Sequence, residues 1–233
     1  MITVLGIDAL DFDCVKRFGC ANLAQESCGK TDLSELSEPR TVVIWSSIVA
    51  GRNTEKEVMA NKDLWGFRLA PSDSFFSKFK KPFAIDVPGY NHDPEQHRKE
   101  RDALKSFFGK TATVEEYDKI ALDWHRKSKG EFFSALDAGH DIVMGYFDAI
   151  DIVGHLSFGI DMKMKMLYKE FDEIAGRVRA MNKGPVLIVS DHGMVKLGAR
   201  YGDHSTNGFW SLNSKKDFGM PKPSEFYGLV TSL

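Results

Sequence analysis

The sequence predicts an α/β fold, a three-layer sandwich in which helices flank a mostly parallel central sheet. Three short apolar runs have the character of buried strands, because a parallel strand between two helix layers must be apolar on both faces. Between these runs lie longer segments with apolar residues at helical spacing. Strands that alternate with helices are typical of parallel sheets, and the two observations together therefore predict this class.

Each of the three predicted strands is followed by an acidic residue at its carboxyl end. The strands cover residues 2–7, 141–147 and 185–190, and the acidic residues that follow them are Asp8, then Asp148 with Asp151, and Asp191. In open parallel sheets, ligands bind beyond the carboxyl ends of the strands. The pattern therefore predicts that these carboxylates meet at one edge of the sheet.

The remaining elements are predicted from periodicity and composition. Residues 113–138 predict one or two amphipathic helices, and residues 161–181 predict another. The segment at about 53–108 contains four prolines and two glycines, which predict loops and a small insertion over the sheet edge. With 233 residues, the chain is expected to form one domain over residues 1–233 that includes this insertion.

Charge and cysteine usage exclude several classes of protein. The 31 Lys and Arg residues and 33 Asp and Glu residues give a net charge of −2. This charge argues against nonspecific electrostatic binding to nucleic acid or to an anionic membrane. No apolar run reaches the ~18 residues that a membrane span requires. The three cysteines form no C-x-x-C pair, so we expect reduced thiols in a cytoplasmic protein and no zinc knuckle.

Carboxylate and imidazole side chains that follow strands or lie in loops form a candidate metal site. They are Asp8, Asp151, His155, Asp191, His192 and His204. Mixed His and Asp ligation suits zinc first, with manganese or iron as alternatives, and suits calcium or magnesium less well. Six ligands are too many for one tetrahedral ion with an open position. Two divalent ions account for them better.

Thr41 is the candidate nucleophile. A threonine hydroxyl reacts poorly at neutral pH until a metal lowers its pKa. Ser46 and Ser47, which follow Trp45, resemble the first turns of a helix whose N-terminus would support an anion.

Each of these residues also has an ordinary interpretation when it is considered alone. Asp8 could cap a helix that begins at Ala9 or Leu10, and Thr41 could be a simple strand or capping residue. Asp151 and His155 could be a surface pair on one helix face, and Asp191 with His192 could close a turn. The histidines that lack strand-end placement, His92, His97, His125 and His140, are interpreted as surface or helix residues.

Four segments, in their order and spacing, resemble the type I phosphodiesterase/nucleotide pyrophosphatase branch of the alkaline phosphatase superfamily. They are Gly6-Ile7-Asp8, Thr41-x-x-x-Trp45-x-Ser47-x-x-x-Gly51, Asp151-x-x-Gly154-His155, and Ser190-Asp191-His192-Gly193 followed by His204. A fifth, Ile85-Asp86-Val87-Pro88-Gly89-Tyr90, is similar to the Val-Pro stretch of that branch. The resemblance covers nearly the whole chain and implies an alkaline phosphatase-like fold.

The resemblance also implies roles for individual residues. Asp8, Thr41, Asp191 and His192 would hold the ion that activates the nucleophile, and Asp151, His155 and His204 would hold a second ion. Thr41 would attack phosphorus and form a phosphothreonine that water then releases. Asn61 lies about twenty residues beyond Thr41, where the family often has an Asn that orients a phosphate oxygen, so it is assigned to the substrate.

The implied function is a two-metal hydrolase of small-molecule phosphate esters, which include nucleotides, and most closely a phosphodiesterase or nucleotide pyrophosphatase. A phosphomonoesterase and a phosphoglycerate mutase-like phosphotransferase are alternatives within the enzyme class. A non-catalytic metal- or phosphate-binding module is a third alternative, because Glu57-Val58 stands where the family often has His-Gly. The sequence makes no prediction about oligomeric state.

Overall fold

A computed structural model describes residues 1–233. Its centre is a six-stranded sheet that is covered by helices on both faces. The strands, in chain order, are β1 Ile2–Ile7, β2 Ser27–Lys30, β3 Pro82–Ile85, β4 Ile142–Phe147, β5 Val186–Val189, β6 Met194–Leu197, β7 Tyr201–His204 and β8 Phe209–Leu212. The helices are α1 Phe12–Arg17, α2 Ala21–Ala24, α3 Thr41–Ala50, α4 Glu55–Met59, α5 Pro94–Phe108, α6 Val114–Leu136, α7 Ala149–Ser157, α8 Asp161–Met181 and α9 Phe226–Thr231.

The sheet order is β2-β8-β5-β1-β4-β3, and β6 pairs with β7 in a separate hairpin. Strands β3, β4, β1 and β5 run parallel, whereas β8 is antiparallel to both β5 and β2. The predicted mostly parallel sheet is therefore confirmed. The two antiparallel pairings lie together at one side of the sheet.

Two hydrophobic layers, one on each face of the sheet, confirm the three-layer prediction. Leu5 and Ile7 of β1 point to a core built with α1, α6, α7 and α8. Val4 points to the opposite core, which includes α3 and α9. This alternation is the period of two that a strand imposes on its side chains. Strand β1 is therefore buried on both faces at the centre of the molecule.

The three predicted strands and the two predicted helical segments agree with the observed elements to within a few residues. Residues 161–181 form α8 as predicted, and Thr113 caps α6 through its side chain and a capping box. Helix α3 begins at Thr41, and Ser46 and Ser47 lie in its second turn, where each donates a hydrogen bond to a carbonyl of the preceding turn.

The segment at 53–108 contains more regular structure than the sequence indicated. It supplies β3, which forms the edge of the central sheet beside β4, and the fifteen-residue helix α5. Short 3-10 turns at Leu64–Gly66, Pro71–Asp73 and Phe75–Lys78 connect these elements to α4. None of the helices in the chain has the length and apolar character needed to cross a membrane.

Candidate metal centre and active site

Three neighbouring strands deliver the acidic residues to one edge of the sheet. Asp8 directly follows β1, and Asp191 lies two residues beyond the end of β5, the strand that pairs with β1 on one side. Asp151 lies in the first turn of α7, which follows β4 on the other side of β1. The carboxyl ends of these parallel strands meet at the same edge, and all three carboxylates are buried there.

Asp8, Asp191 and His192 form the first group of donor atoms. His192 Nε2 lies 3.3 Å from Asp8 Oδ1 and 3.3 Å from Asp191 Oδ2. His192 Nδ1 lies 3.1 Å from the Gly193 carbonyl, and because a carbonyl only accepts, Nδ1 carries the proton. Nε2 therefore presents a lone pair to two carboxylate oxygens.

Asp151, His155 and His204 form the second group. Asp151 Oδ2 lies 3.3 Å from His155 Nε2, and Asp151 Oδ1 lies 3.5 Å from His204 Nε2. The rings of His192 and His204 stack with centroids 3.8 Å apart, so the two groups adjoin. Donor atoms of Asp151, His192 and His204 all lie within 4.8 Å of one another.

The hairpin of β6 and β7 explains how His204 reaches this place. His204 was predicted to lie in a loop, but it is the last residue of β7, opposite Met194 in the hairpin register. Met194 is two residues beyond His192, so the hairpin returns His204 to the end of β5. Gly202 permits this packing, because a Cβ there would lie 2.7 Å from Phe158 Cβ and 2.9 Å from the Gly154 carbonyl.

The donor atoms fit the chemistry of divalent ions. Asp8 Oδ1, Asp191 Oδ2, His192 Nε2, Asp151 Oδ1 and His204 Nε2 are all buried without a hydrogen-bond partner. Buried polar atoms without partners are costly, and in the first group the lone pair of His192 Nε2 is repelled by the carboxylate oxygens that it faces. A cation between them removes both costs, and the mixed nitrogen and oxygen donors suit zinc, manganese or iron.

The electrostatics of the first group reflect its burial. Burial raises the pKa of the Asp8 carboxyl well above its ordinary value, and the charges of Asp191 and Asp151 raise it further. Burial also raises the pKa of Asp191 to about 7. In contrast, burial lowers the pKa of His192, which keeps this imidazole neutral, as a metal ligand must be.

The second group is held together by opposite charges. The negative charge of Asp151 raises the pKa of His155 to about 9. Burial lowers the pKa of His204, but the close negative charge of Asp151 outweighs burial and raises it to about 9. Burial likewise opposes ionisation of Asp151, yet the two imidazoles hold its pKa well below the ordinary value.

These pKa values predict that metal affinity rises with pH. A cation must displace protons from Asp191, His155 and His204, so we expect affinity to increase from about pH 6 to about pH 9, by up to about tenfold per pH unit for each proton displaced. Calorimetric titration with Zn²⁺ or Mn²⁺ in buffers of different ionisation enthalpy measures both affinity and proton release. A pH-independent affinity without proton release would contradict the prediction.

Thr41 is the first residue of α3 and lies on the wall of a cavity of about 510 Å³. Asp8, Asp151, His155 and His204 line the same cavity, whereas the completely buried Asp191 and His192 lie behind it. The first N–H groups of a helix have no partners within the helix and favour an anion at that end. Thr41 therefore lies on the cavity wall at a helix end that favours an anion.

Close packing holds α3 against the sheet. A Cβ at Gly6 of β1 would lie 2.8 Å from the Trp45 ring, and a Cβ at Gly89, whose φ is 74°, would lie 2.7 Å from Ser46 Cβ. Trp45 makes an edge contact with Tyr146, whose hydroxyl donates a hydrogen bond to Asp8. The helix that carries Thr41 and the strand that carries Asp8 are thus linked through two buried aromatic rings.

These contacts resolve two of the ordinary interpretations of single residues. Asp11, not Asp8, caps the first helix, because Asp11 Oδ1 accepts a hydrogen bond from the Cys14 N–H. Asp8 therefore has no capping role. Asp151 and His155 do lie on one helix face, but that face meets the buried edge of the sheet rather than open solvent.

The structure does not bring Asn61 to the cavity. Its side chain is exposed, and its amide donates hydrogen bonds to the carbonyls of Glu57 and Val58 in the last turn of α4. The amide thus pairs with free carbonyl groups at the end of α4. Asn61 is not among the residues that line the cavity. This position differs from the substrate contact that the sequence suggested.

We expect the Asn61→Ala variant to keep its phosphate-ester hydrolysis within about twofold of the unchanged protein, because surface substitutions away from a site have small effects. The ratio of kcat/KM values measures this. A loss of tenfold or more with an unchanged melting temperature would mean that Asn61 reaches the substrate.

A cluster that the sequence did not single out lies on the same cavity wall. His97 and Glu100 of α5 and Asp148 before α7 are almost completely buried, and all three line the cavity. His97 was interpreted as a surface or helix residue; it is on a helix, but together with His92 and His125 it is buried. Polar residues that share one side of α5 were the only sign of this cluster in the sequence. Packing alone shows that this side of the helix is buried.

The α/β architecture and the two buried donor groups define the class as an alkaline phosphatase-like fold with a candidate divalent-metal centre. A family described as type I phosphodiesterase/nucleotide pyrophosphatase has a sequence model that matches residues 60–208, which is more than half of the chain. The chain belongs to the type I phosphodiesterase/nucleotide pyrophosphatase family. The matched segment includes Asp151, His155, Asp191, His192 and His204 but begins after Asp8 and Thr41.

Solved structures with the same fold have low sequence identity. The alkaline phosphatase of the Antarctic bacterium TAB5 superimposes with a TM-score of 0.51 at 12% identity, over 99% of this chain and 96% of that chain. Murine ectonucleotide pyrophosphatase/phosphodiesterase 5 gives a TM-score of 0.48 at 14% identity, and the match covers 84% of this chain.

The chain spans 58% of the length of that murine protein, for which an inactive variant in complex with AMP has also been solved. No curated protein matches the chain in sequence. At 12% identity, the likeness to the alkaline phosphatase shows the fold alone.

Proposed function

We propose that the protein is a metal-dependent phosphoric ester hydrolase that cleaves phosphodiesters or nucleotide pyrophosphates, with Thr41 as its nucleophile. The observation that carries the proposal is the set of buried donor atoms without hydrogen-bond partners, which lie beside the cavity that Thr41 lines. Membership in the type I phosphodiesterase/nucleotide pyrophosphatase family supports the reaction class.

In this proposal, Asp8, Thr41, Asp191 and His192 would hold one divalent ion, and Asp151, His155 and His204 would hold the other. Zinc is the first choice of metal, with manganese or iron as alternatives, because the donors combine imidazole nitrogen with carboxylate oxygen. When bound, the ions would supply positive charge that lowers the pKa of the Thr41 hydroxyl and stabilises the phosphoryl oxygens.

The reaction would proceed in two displacements at phosphorus. Thr41 Oγ1 forms a bond to phosphorus while the bond to the leaving-group oxygen breaks, and the leaving group departs with the electron pair and takes up a proton. Water then attacks the phosphothreonine, the bond between phosphorus and Oγ1 breaks, and a proton from that water returns to Thr41. The N–H groups at the start of α3 would stabilise the phosphoryl oxygens in both steps.

The charge balance near Thr41 favours a monoanionic diester over a dianionic monoester. Two divalent ions would balance the three Asp carboxylates and the Thr41 alkoxide, and a nearly neutral site accepts a monoanion more readily. Arg40, the neighbour of Thr41, does not add a free positive charge, because its guanidinium is paired with Glu38 at 2.7 Å.

Arg101 supports a substrate with a second charged part, such as a nucleotide. Its side chain lines the cavity, its Nη1 has no hydrogen-bond partner, and no acidic side chain lies within 4.0 Å of it. Its guanidinium lies 5.3 Å from the centre of the Trp65 ring. His97 stacks on the Trp65 ring, so only the part of that ring that His97 leaves uncovered could contact a nucleotide base.

The test is a substrate panel with protein that has been loaded with Zn²⁺ or Mn²⁺. We expect bis(p-nitrophenyl) phosphate to be hydrolysed with a kcat/KM at least about tenfold above that for p-nitrophenyl phosphate, and ATP to yield AMP. A preference for the monoester would support a phosphomonoesterase. Binding of metal and AMP in a thermal shift assay, without turnover of any ester, would replace the proposal with a non-catalytic binding module.

A further inference from the structure

Four hydroxyl side chains line the cavity, and three of them already have a role or a partner. Thr41 is the proposed nucleophile. Ser37 Oγ donates a hydrogen bond of 2.8 Å to Glu55 Oε2, and the hydroxyl of Tyr146 donates its hydrogen bond to the first donor group. The fourth hydroxyl belongs to Tyr117 and makes no hydrogen bond to another residue. One free phenol on this wall is therefore available to a ligand in the cavity.

Tyr117 is buried, but its polar end faces the cavity. The residue is only 1% exposed, yet it lines the same cavity as Thr41. Its hydroxyl oxygen is not among the polar atoms that the protein encloses completely. Buried phenols usually find a hydrogen-bond partner, because an unpaired polar group away from bulk water is costly. The free hydroxyl of Tyr117 thus points to a partner that enters from the cavity.

The ring of Tyr117 is held in place by the start of α6 and by apolar packing. Thr113 and the residue three positions after it form the capping box of α6, and the Tyr117 N–H donates a hydrogen bond of 3.2 Å to the Thr113 carbonyl. The side chain belongs to a small apolar cluster with Val114 and Leu156, and Ile152 packs against this cluster. The ring is therefore fixed between α6 and α7, and its hydroxyl end has a defined position.

This position lies beside the second donor group, in an acidic environment. Ile152 directly follows Asp151 in α7 and also lines the cavity. Burial raises the pKa of Tyr117, and the charges of Asp151, Glu100 and Asp148 raise it further. A phenol has a pKa of about 10 even in water, so this hydroxyl keeps its proton at neutral pH. It can donate a hydrogen bond but cannot act as a base.

The proposed reaction needs an uncharged donor that the chain does not supply where the sequence suggested it. Asn61 was assigned to a phosphoryl oxygen, but it does not line the cavity, and no other asparagine or glutamine side chain lines it. Arg101, the unpaired cation on the wall, carries a full positive charge. The O–H group of Tyr117 is an uncharged donor on the same wall as the nucleophile.

We infer that the Tyr117 hydroxyl donates a hydrogen bond to a non-bridging oxygen of the phosphoryl group that Thr41 attacks. This inference rests on the proposed function and adds to it a residue that contacts the substrate. A hydrogen bond to a charged oxygen is roughly twice as strong as one between neutral groups, and a phosphodiester is anionic. The contact holds the phosphoryl group in position for attack, and Tyr117 transfers no proton.

Tyr117→Phe tests the contact because it keeps the ring and removes only the free hydroxyl. We expect kcat/KM of the metal-loaded full-length protein for bis(p-nitrophenyl) phosphate to fall about 10- to 100-fold. The melting temperature and the metal content should not change. Tyr201→Phe is the matched control, because Tyr201 packs against the same apolar cluster but does not line the cavity, and its kcat/KM should stay within about twofold.

Phosphorothioate substrates distinguish a direct contact from an effect through neighbouring residues. The two diastereomers of methyl p-nitrophenyl phosphorothioate each carry sulfur in place of one non-bridging oxygen, and sulfur is a weak hydrogen-bond acceptor. We expect the effect of Tyr117→Phe to shrink to about threefold or less for one diastereomer and to persist for the other. Equal effects on both diastereomers, or a loss of metal from the variant, would show that Tyr117 only supports the metal ligands and would overturn the inference.

Binding of inorganic phosphate separates failure of this inference from failure of the proposed function, because calorimetric titration needs no turnover. We expect a Kd at least about fivefold higher in metal-loaded Tyr117→Phe than in the unchanged protein. If the unchanged protein hydrolyses diesters and the variant equals it in kcat/KM and phosphate affinity, only the inference fails. If the unchanged protein hydrolyses no ester, the proposed function fails. Weaker phosphate binding by the variant would then still support the contact, and equal or absent binding would overturn it.

A structure of the unchanged protein decides if the variant fails to fold by circular dichroism. Metal-loaded crystals are soaked in orthovanadate, which resembles the phosphoryl group in transit. A vanadate oxygen within hydrogen-bond distance of Tyr117 Oη supports the inference. Vanadate bound at Thr41 with no oxygen near Tyr117 overturns it.

Discussion

Thr41→Ala is expected to lower kcat/KM for a phosphodiester by at least about a thousandfold, because removal of a nucleophile leaves only binding and electrostatic effects. Thr41 begins α3 on the cavity wall, and no other hydroxyl side chain on that wall is the first residue of a helix. Thr41→Ser keeps a hydroxyl at the same position and should retain measurable turnover. Steady-state rates of release of p-nitrophenol from the diester measure the effect.

The Thr41→Ala variant should keep its fold and most of its bound metal, since Asp8, Asp191 and His192 would still hold the ion. A phosphoryl adduct on the Thr41 peptide, trapped by acid quench and found by mass spectrometry, would be present in the unchanged protein and absent from the variant. Turnover above about one tenth of the original in Thr41→Ala would show that another group attacks phosphorus.

Asp151→Asn is expected to abolish activity through loss of metal. Asp151 uses both oxygens, one toward His155 and one toward His204, so an amide in its place both removes the charge and turns an N–H₂ group toward one imidazole. Removal of groups that only orient a metal ligand lowers metal affinity about 10- to 100-fold, and removal of a direct ligand should cost at least that much.

Asp203→Asn is the matched control for Asp151→Asn. Asp203 precedes His204, but its side chain is exposed and accepts a hydrogen bond from the His204 backbone N–H. Competition with a fluorescent chelator should show weakened binding of one ion in Asp151→Asn and unchanged binding in Asp203→Asn. Equal metal affinity in the two variants would remove Asp151 from the ligand set.

The parallel strands and the carboxylates at their ends were predictable because local patterns determine both. Ile2–Ile7 is almost entirely apolar, whereas the next residue, Asp8, is charged, and a buried strand must end where the chain becomes polar. Ile142–Phe147 is likewise apolar and is followed by Asp148, and Val186–Val189 is followed by Ser190 and Asp191. Once these strands are parallel, their carboxyl ends share an edge, and the acidic residues that follow them meet without further information.

Other features depended on packing that local patterns do not encode. No local signal marks the start of α3 at Thr41, since Arg40 makes no capping hydrogen bond and the run from Val42 to Val49 is buried on every side. Asn61 was placed at the substrate by its spacing from Thr41. In the structure, its side-chain amide donates a hydrogen bond to the Glu57 carbonyl of α4.

By itself, the sequence determined the three central strands, the helices α6 and α8 and the strand-end carboxylates, because periodicity and strand burial act over a few residues. Only the tertiary structure decided that the β6–β7 hairpin returns His204 to His192, and that α5 turns His97 and Glu100 inward to meet Asp148. The residues of α5 are about fifty positions from Asp148 in the sequence. Contacts over such distances follow from how whole elements pack, and the spacing of side chains within one element does not predict that packing.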